Sequence, residues 1–305
     1  MLHRTDSPPH RVRSEWPSVK GVLRDHQIAG VLVVTAIAAS LVGACVFGKG
    51  GWINNLGSIT ARSSSQDASD QRGFTAAHRV RAVSQPVAAA RDRVAASPLP
   101  DTGSGRPYGR PEEATYAPAP LLLPADDGSS IAGVQSGYPP TQEGALAQLA
   151  SIEIAVIRSA STTGIRAIIA QWTAPGGPTA STWAWTATMT ELLADFDAPA
   201  TGSANVAMSA EPSMGLLKNA AAQAVGEDWA VPCLDMTVDI VRGNQNTQIT
   251  IADCQRMVWD GTRWLIAAGA EPAVPPAAPW PSTDAAYEAG YRDLGSTSPR
   301  SLSSP

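Results

Sequence analysis

The sequence predicts an α+β protein: one N-terminal transmembrane helix, a disordered linker, then helices packed on a curved antiparallel sheet. Three observations carry this. Ile28 to Phe47 is a run of twenty residues without a charge, which at ~1.5 Å per helical residue matches a bilayer core of ~30 Å. Apolar residues recur at helical spacing three times between residues 142 and 196. Beyond Trp229 the pattern changes to alternation broken by Gly-Asn and Asp-Gly turn pairs.

In chain order, residues 1–27 read as a polar, disordered cytoplasmic tail. Arg4, Arg11, Arg13, Lys20 and Arg24 precede the apolar run, and after it only Lys49 is basic before Arg62. That asymmetry places the N-terminus in the cytoplasm and the remainder outside, on a single-pass anchor in the cell membrane. Val42-Gly43-Ala44-Cys45 also fits a lipobox, with Cys45 as the lipidated residue. The long region before the apolar run and its continuation through Val46 and Phe47 favour the uncleaved anchor.

Residues 48–136 are dominated by Pro, Gly, Ser, Ala and Arg and show no sustained apolar period, so a disordered linker is expected. Arg72, Arg79, Arg81, Arg91 and Arg93 make its middle basic, and Pro86 argues against a helix there. Leu99 to Gly103 spells the sortase pentapeptide LPDTG. Sortase substrates carry it near the C-terminus, so coincidence is the better reading here.

The folded domain is expected over 137–295, with a disordered tail over 296–305. Thr141 is a natural N-cap for a helix over 142–159, whose stripe is Ala145, Leu149, Ile152 and Val156. A second helix over 163–172 aligns Ile165, Ile168, Ile169 and Trp172. A third over 180–195 aligns Trp185, Met189, Leu192 and Phe196. Val206 and Met208 suggest a weak first strand. Stronger strands follow over Trp229–Arg242, Gln245–Trp259 and Thr262–Ala267. A Pro-rich crossing then leads to Ser282, the expected N-cap of a short helix through Leu294, with Tyr287 and Tyr291 one turn apart.

Two turns set the register. Asp260-Gly261 places Trp259 opposite Thr262, and Gly243-Asn244 places Arg242 opposite Gln245. Pairs in the second hairpin then sum to 487, so Met236 faces Ile251 and Val238 faces Ile249 on an apolar side. Thr237 with Thr250 and Asp239 with Gln248 form the polar side. The same arithmetic brings Cys233 opposite Cys254, at a separation a disulfide accepts, and a disulfide fits an oxidising compartment.

Composition bounds the chemistry. All four histidines (His3, His10, His26 and His78) precede the expected domain, which removes imidazole-centred catalysis and the usual zinc sites. From Val134 to Gly295 there are 16 Asp and Glu against 7 Lys and Arg. A net charge of −9 disfavours direct nucleic-acid binding. No phosphate loop, dinucleotide fingerprint, nucleophile elbow or CxxC is present. Glu191, Asp195 and Asp197 crowd one helix end but read as a solvated acidic face. Asp235 and Asp239 share a strand face ~13 Å apart, too far for paired glycosidase carboxylates. No catalytic, cofactor-binding or metal residue is assigned; the one site pair is Cys233 and Cys254. Trp259 and Trp264 read as core, and Trp183, off its helix's stripe, as packing or a groove wall.

Helices followed by an antiparallel sheet ending in a WDGxRW hairpin resemble the cone-shaped nuclear-transport-factor-2-like fold. GYPPTQEGALAQLA, DCQRMVWDGTRWLI and WPSTDAAYEAGYRDL further resemble uncharacterised single-pass envelope proteins of actinobacteria, several encoded in mobile conjugative elements. Domains of this fold on one N-terminal anchor form the assembly factor of type IV secretion and conjugation machines. The resemblance implies a non-catalytic scaffold. Its partners would be other envelope or transfer-apparatus proteins and further copies of the chain, with no cofactor. A module binding a small ligand or an envelope polymer is the second reading, and an enzyme using carboxylates alone is the third, which a converging buried Asp or Glu in a cleft would favour.

Overall fold

The computed structural model describes residues 83–102, 114–218, 222–275 and 280–297. The expected anchor Ile28–Phe47, its charge flanks and the Val42–Cys45 lipobox lie outside the described residues. Among the described residues no helix is long and apolar enough to cross a membrane.

The class is α+β, with a mixed sheet where an antiparallel one was expected. Five strands take the order β1-β10-β4-β6-β7: β1 is Leu121–Leu123, β4 Val206–Leu217, β6 Pro232–Arg242, β7 Gln245–Cys254 and β10 Arg292–Ser296. β1 runs parallel to β10, pairing Leu121 with Leu294. A three-stranded sheet joins β5 (Trp229–Ala230), β8 (Met257–Trp259) and β9 (Trp264–Ile266), and β2 (Ser130–Ile131) with β3 (Val134–Gln135) makes a small hairpin.

Helix α2 (Gln142–Ser159) begins where the sequence places it: the Thr141 hydroxyl accepts from the Gly144 N–H at 3.0 Å. Helix α3 (Thr162–Trp172) buries Ile165, Ile168, Ile169 and Trp172, the expected stripe. Helix α4 (Ala184–Asp195) starts later than expected. Thr179 to Trp183 closes a turn first, with the Trp183 N–H bonded to the Thr179 carbonyl, and the Glu271 carboxylate accepts from the Ala184 N–H at 2.9 Å. A carboxylate at that position complements the positive end of the helix.

The β6–β7 hairpin has the expected register throughout, from Arg242 opposite Gln245 to Cys233 opposite Cys254. Gly243 takes φ 60°, as the first central position of a type II′ turn requires. The two cysteines are bonded, with Cα atoms 4.0 Å apart.

β4 is far longer than the weak strand expected from Val206 and Met208. Proline, glycine and small residues obscured it. Its register against β6 shifts between Pro212 and Met214, and the extra residue exchanges the faces. Met208 pairs with Ile240 on the helix-covered side, whereas Met214 pairs with Asp235 and Leu216 with Cys233 on the opposite side. Gly215 stays on the helix side, where a Cβ would stand 2.7 Å from Leu146 of α2. Only glycine lets the helix lie that close.

Three expectations are corrected. Asp260 and Gly261 do not form a two-residue turn: Trp259 pairs with Trp264 across a four-residue loop. Asp260 Oδ1 accepts from the backbone N–H groups of Thr262 and Arg263 and from the Thr262 hydroxyl, which stabilises the longer loop. The C-terminal helix is short, α6 (Asp284–Glu288), capped by Thr283 and not Ser282. The residues after it form β10, so strand structure extends into the first residue of the expected tail.

The third correction concerns the linker. Within 48–136 the chain forms helix α1 (Gln85–Ala96) besides β1 to β3. Pro86 stands in the first turn of α1, where no intrahelical N–H is needed, so it starts the helix instead of breaking it. Arg91 Nη2 binds Asp228 Oδ1 at 2.7 Å and Arg256 Nη1 binds Asp92 Oδ1 at 2.7 Å, a reciprocal clasp. Both guanidinium carbons lie within 5.6 Å of the Trp229 ring centroid. Arg91 and Arg256 are buried, so the linker's basic composition hid structural arginines.

Two outcomes follow from this architecture. Replacing Cys233 and Cys254 by serine opens a bridge spanning 21 residues and should cost about 3 kcal/mol of stability, read as a lowered denaturation midpoint. A fragment beginning at Gly137 loses α1 and β1 to β3 and leaves Arg91's and Asp92's partners uncompensated. It should melt roughly 6–12 °C below one beginning at Val83, corresponding to about 3 kcal/mol for a domain of this size. Equal melting would show that the clasp contributes nothing.

Candidate functional site

The buried face of the β6–β7 hairpin carries the domain's most perturbed chemistry. Residues 249, 251 and 253 of β7 alternate onto the helix-covered side, where Asp253 stands opposite Leu234. Glu153 occupies the apolar stripe of α2, one turn from Leu149, and is 0 % exposed. The two carboxyl groups meet. Asp253 Oδ2 also accepts from the Trp185 indole N–H at 3.0 Å and from the Gln255 amide at 2.7 Å. Asp253 keeps some accessible surface as a residue, but its carboxyl group is enclosed by these partners.

Two carboxylates side by side in an apolar setting cannot both ionise cheaply. Burial pushes Glu153 well above the usual range, and the Asp253 charge pushes it further. Burial also raises Asp253, opposed by the neighbouring Glu153, Gln255 and Trp185 side chains. The pair therefore favours a single charge, with the proton on Glu153, whose two carboxyl oxygens are buried without a hydrogen-bond partner within bonding distance. Glu271, at the N-terminus of α4, is raised by burial and then by the Asp253 charge, with the Ala184 N–H opposing. The composition is that of an acid–base pair, and Trp185 and Gln255 both bond the same aspartate oxygen, Oδ2.

A second buried acid lies on the other face. Asp235 is 0 % exposed; burial raises its carboxyl well above the usual range against the Met236 backbone N–H. The segment around α6 covers it. The Ser282 N–H meets the Met214 sulfur at 3.0 Å, and Tyr291 is buried, its hydroxyl raised by burial and then by the Asp235 charge. Tyr287, expected beside Tyr291, instead donates to Asp293 Oδ2 at 2.7 Å. Asp239, on the same strand face as Asp235, is half-exposed and accepts from Gln248 at 3.1 Å. One strand thus places its two aspartates in opposite environments.

The remaining candidates are structural. Glu191 and Asp197 are exposed, and Asp197 pairs with Arg242 at 3.3 Å. No group of three or more His, Cys, Asp or Glu that could hold a metal ion occurs among the described residues. Trp183 is 1 % exposed at the start of α4. Trp264 is buried, donates to the Pro139 carbonyl at 2.8 Å and meets Trp259 edge-on at 5.7 Å between centroids.

Glu153, Asp253 and Asp235 were absent from the sequence-based site assignment, though the signal for the first two was present. Glu153 interrupts an apolar helix face, and Asp253 continues the Ile249–Ile251 alternation. Comparison of the chain with protein-family models, with curated proteins and with solved structures returns no match.

The acid pair sets a pH dependence. A carboxyl group raised in the folded state contributes stability that is fully present below its unfolded value, near 4.5 for Glu153, and is lost as pH rises through the folded value. The melting temperature should therefore fall as pH rises from about 4.5. Glu153→Gln puts a permanently neutral side chain beside Asp253. It should leave stability at pH 4 nearly unchanged, flatten part of the slope and stabilise the protein by about 1–3 kcal/mol at pH 8. The residual slope belongs to the other raised carboxyl groups, Asp235, Asp253 and Glu271. An unchanged profile would show that the pair does not carry a single charge in this way.

Proposed function

We propose that the chain is a non-catalytic, membrane-anchored structural subunit of a conjugation or secretion apparatus, acting through protein–protein contacts outside the membrane. The observation that carries this reading is the β7 edge of the main sheet: among the described residues no further strand pairs with it, and it is largely exposed from Gln245 to Gln248 and buried from Ile249 to Ala252. β7 is ten residues long, and residues 245–252 (QNTQITIA) include no charge and no proline. Edge strands are ordinarily shortened, charged or bulged to prevent pairing with another chain. An edge left long and uncharged suits strand addition by a partner, in which backbone groups supply affinity.

Other features support the same reading. The strongly perturbed carboxyl groups of Glu153 and Asp235 lie inside the core, and that of Asp253 is held by Trp185 and Gln255. The disulfide fits an oxidising compartment, in keeping with the expected orientation of the anchor. The order of three helices before a long hairpin accords with the nuclear-transport-factor-2-like resemblance and its use in assembly factors.

Deleting the gene should abolish transfer of the element that carries it, and crosslinking in donor membranes should recover other apparatus components. Asn246→Lys with Gln248→Lys charges the β7 edge at two exposed positions. It should reduce both crosslinks and transfer while changing stability by no more than about 1 kcal/mol. Normal transfer from the deletion strain would overturn the apparatus reading; normal transfer from the folded double variant would remove β7 as the contact.

A further inference from the structure

Between α1, the C-terminal end of β4 and the short helix α5 (Ala222–Val225) lies an open groove of about 480 Å³, within the range of roughly 300–1,000 Å³ typical of small-molecule sites. Val94, Leu99, Leu216 and Leu217 line it, and each keeps part of its side chain accessible. The charged side chains in the lining are Arg93 and Lys218; no Asp or Glu contributes. That sign is opposite to the surrounding domain, with its 16 acidic and 7 basic residues between Val134 and Gly295.

Lys218 is held in place. Its ammonium donates to the Ala95 carbonyl at 3.2 Å and to the Ser97 carbonyl at 2.6 Å, at the C-terminal end of α1. Those bonds use two of the three N–H groups an ammonium carries. Burial lowers its pKa, the sign of a cation poor in solvent. Arg93 stands exposed on the rim, with Nε 3.4 Å from the Ala89 carbonyl. A lysine present only to cap a helix needs neither a second cation nor an apolar trough beside it.

We propose that this groove binds a single-chain aliphatic carboxylate, its anionic head between Lys218 and Arg93 and its chain along Val94, Leu99, Leu216 and Leu217. The carboxylate takes the remaining ammonium N–H and gives the half-buried cation an opposite charge in place of the water that burial removes. The partly open leucines lose their residual contact with water along the chain. The assignment is independent of the apparatus reading, because it concerns α1 and the end of β4 and not the β7 edge.

The test is photo-labelling of the full-length protein in its membrane with a diazirine-bearing decanoate, followed by peptide mapping. Labels are expected on the peptides containing residues 93–99 and 216–218. Excess decanoate should compete; decanol and decyltrimethylammonium at equal concentration should compete at least tenfold less well. Arg93→Glu, at an exposed position, should cut labelling at least tenfold with an unchanged melting temperature, and Lys218→Gln should do the same where it folds. Labelling confined to other parts of the chain, equal competition by decanol, or full labelling of the folded Arg93→Glu protein would overturn the proposal.

Discussion

The pairing of β6 with β7 is the constraint on which the remaining structure depends. A two-residue turn at Gly243-Asn244 fixes a single register, and the Cys233–Cys254 bond closes the far end of the same ladder. Side chains alternate across a strand, so this register decides which residues meet the helices and which meet the α6 segment. A slip of one residue would bring Asp235 and Thr237 beneath α2 and expel Met236 and Val238. The one-residue shift in β4 shows the same rule used constructively. By reversing its faces midway, β4 supplies Met208 to one core and Met214 and Leu216 to the other. The sheet is thereby covered on both sides at its β10 end.

Burial of carboxyl groups follows from that two-sided covering. In an acidic domain most carboxylates stay in water, yet Glu153, Asp253 and Asp235 are carried inside by alternation and helical period. Trp185 and Gln255 hold Asp253, and a proton on Glu153 removes the second charge beside it. Asp235 has no side-chain partner, and burial keeps it neutral under Tyr291. Paired and unpaired acids thus sit on opposite faces of one hairpin, and each couples the sheet to a different covering element.

Local signals in the sequence read well where a single physical rule decided the outcome. Thr141 capped the helix it was expected to cap, the stripe of α3 was buried, and the cysteines met because the turn arithmetic required it. Elements decided by partners distant in the chain were not legible. β10 forms because β1 and β4 offer edges to it, and nothing within RDLGS announces a strand. Arg91 and Arg93 look alike in a basic stretch, although one is buried against Trp229 and the other lines a groove. Asp260-Gly261 has the composition of a tight hairpin, but the aspartate carboxylate solvates two further N–H groups and lengthens the loop. The Glu153–Asp253 pair was legible in principle, since both acids interrupt apolar alternation, but only the two periodicities read together bring them into contact.

The clasp around α1 has a mechanical meaning. The polypeptide that leads toward the N-terminus departs from α1, so tension along the chain from that side reaches the folded domain at Val83 and enters the sheet through side chains. The first bonds to bear it are Arg91 to Asp228 and Arg256 to Asp92, with Lys218 gripping the other end of the helix. These contacts are distributed along α1, and rupture under load needs several of them to fail together. The ladder holding Cys233 to Cys254 lies behind them and is covalently closed. A pull from the N-terminal side would therefore strip a helix before it disturbs the hairpin, which makes α1 a mechanical fuse in series with a rigid body.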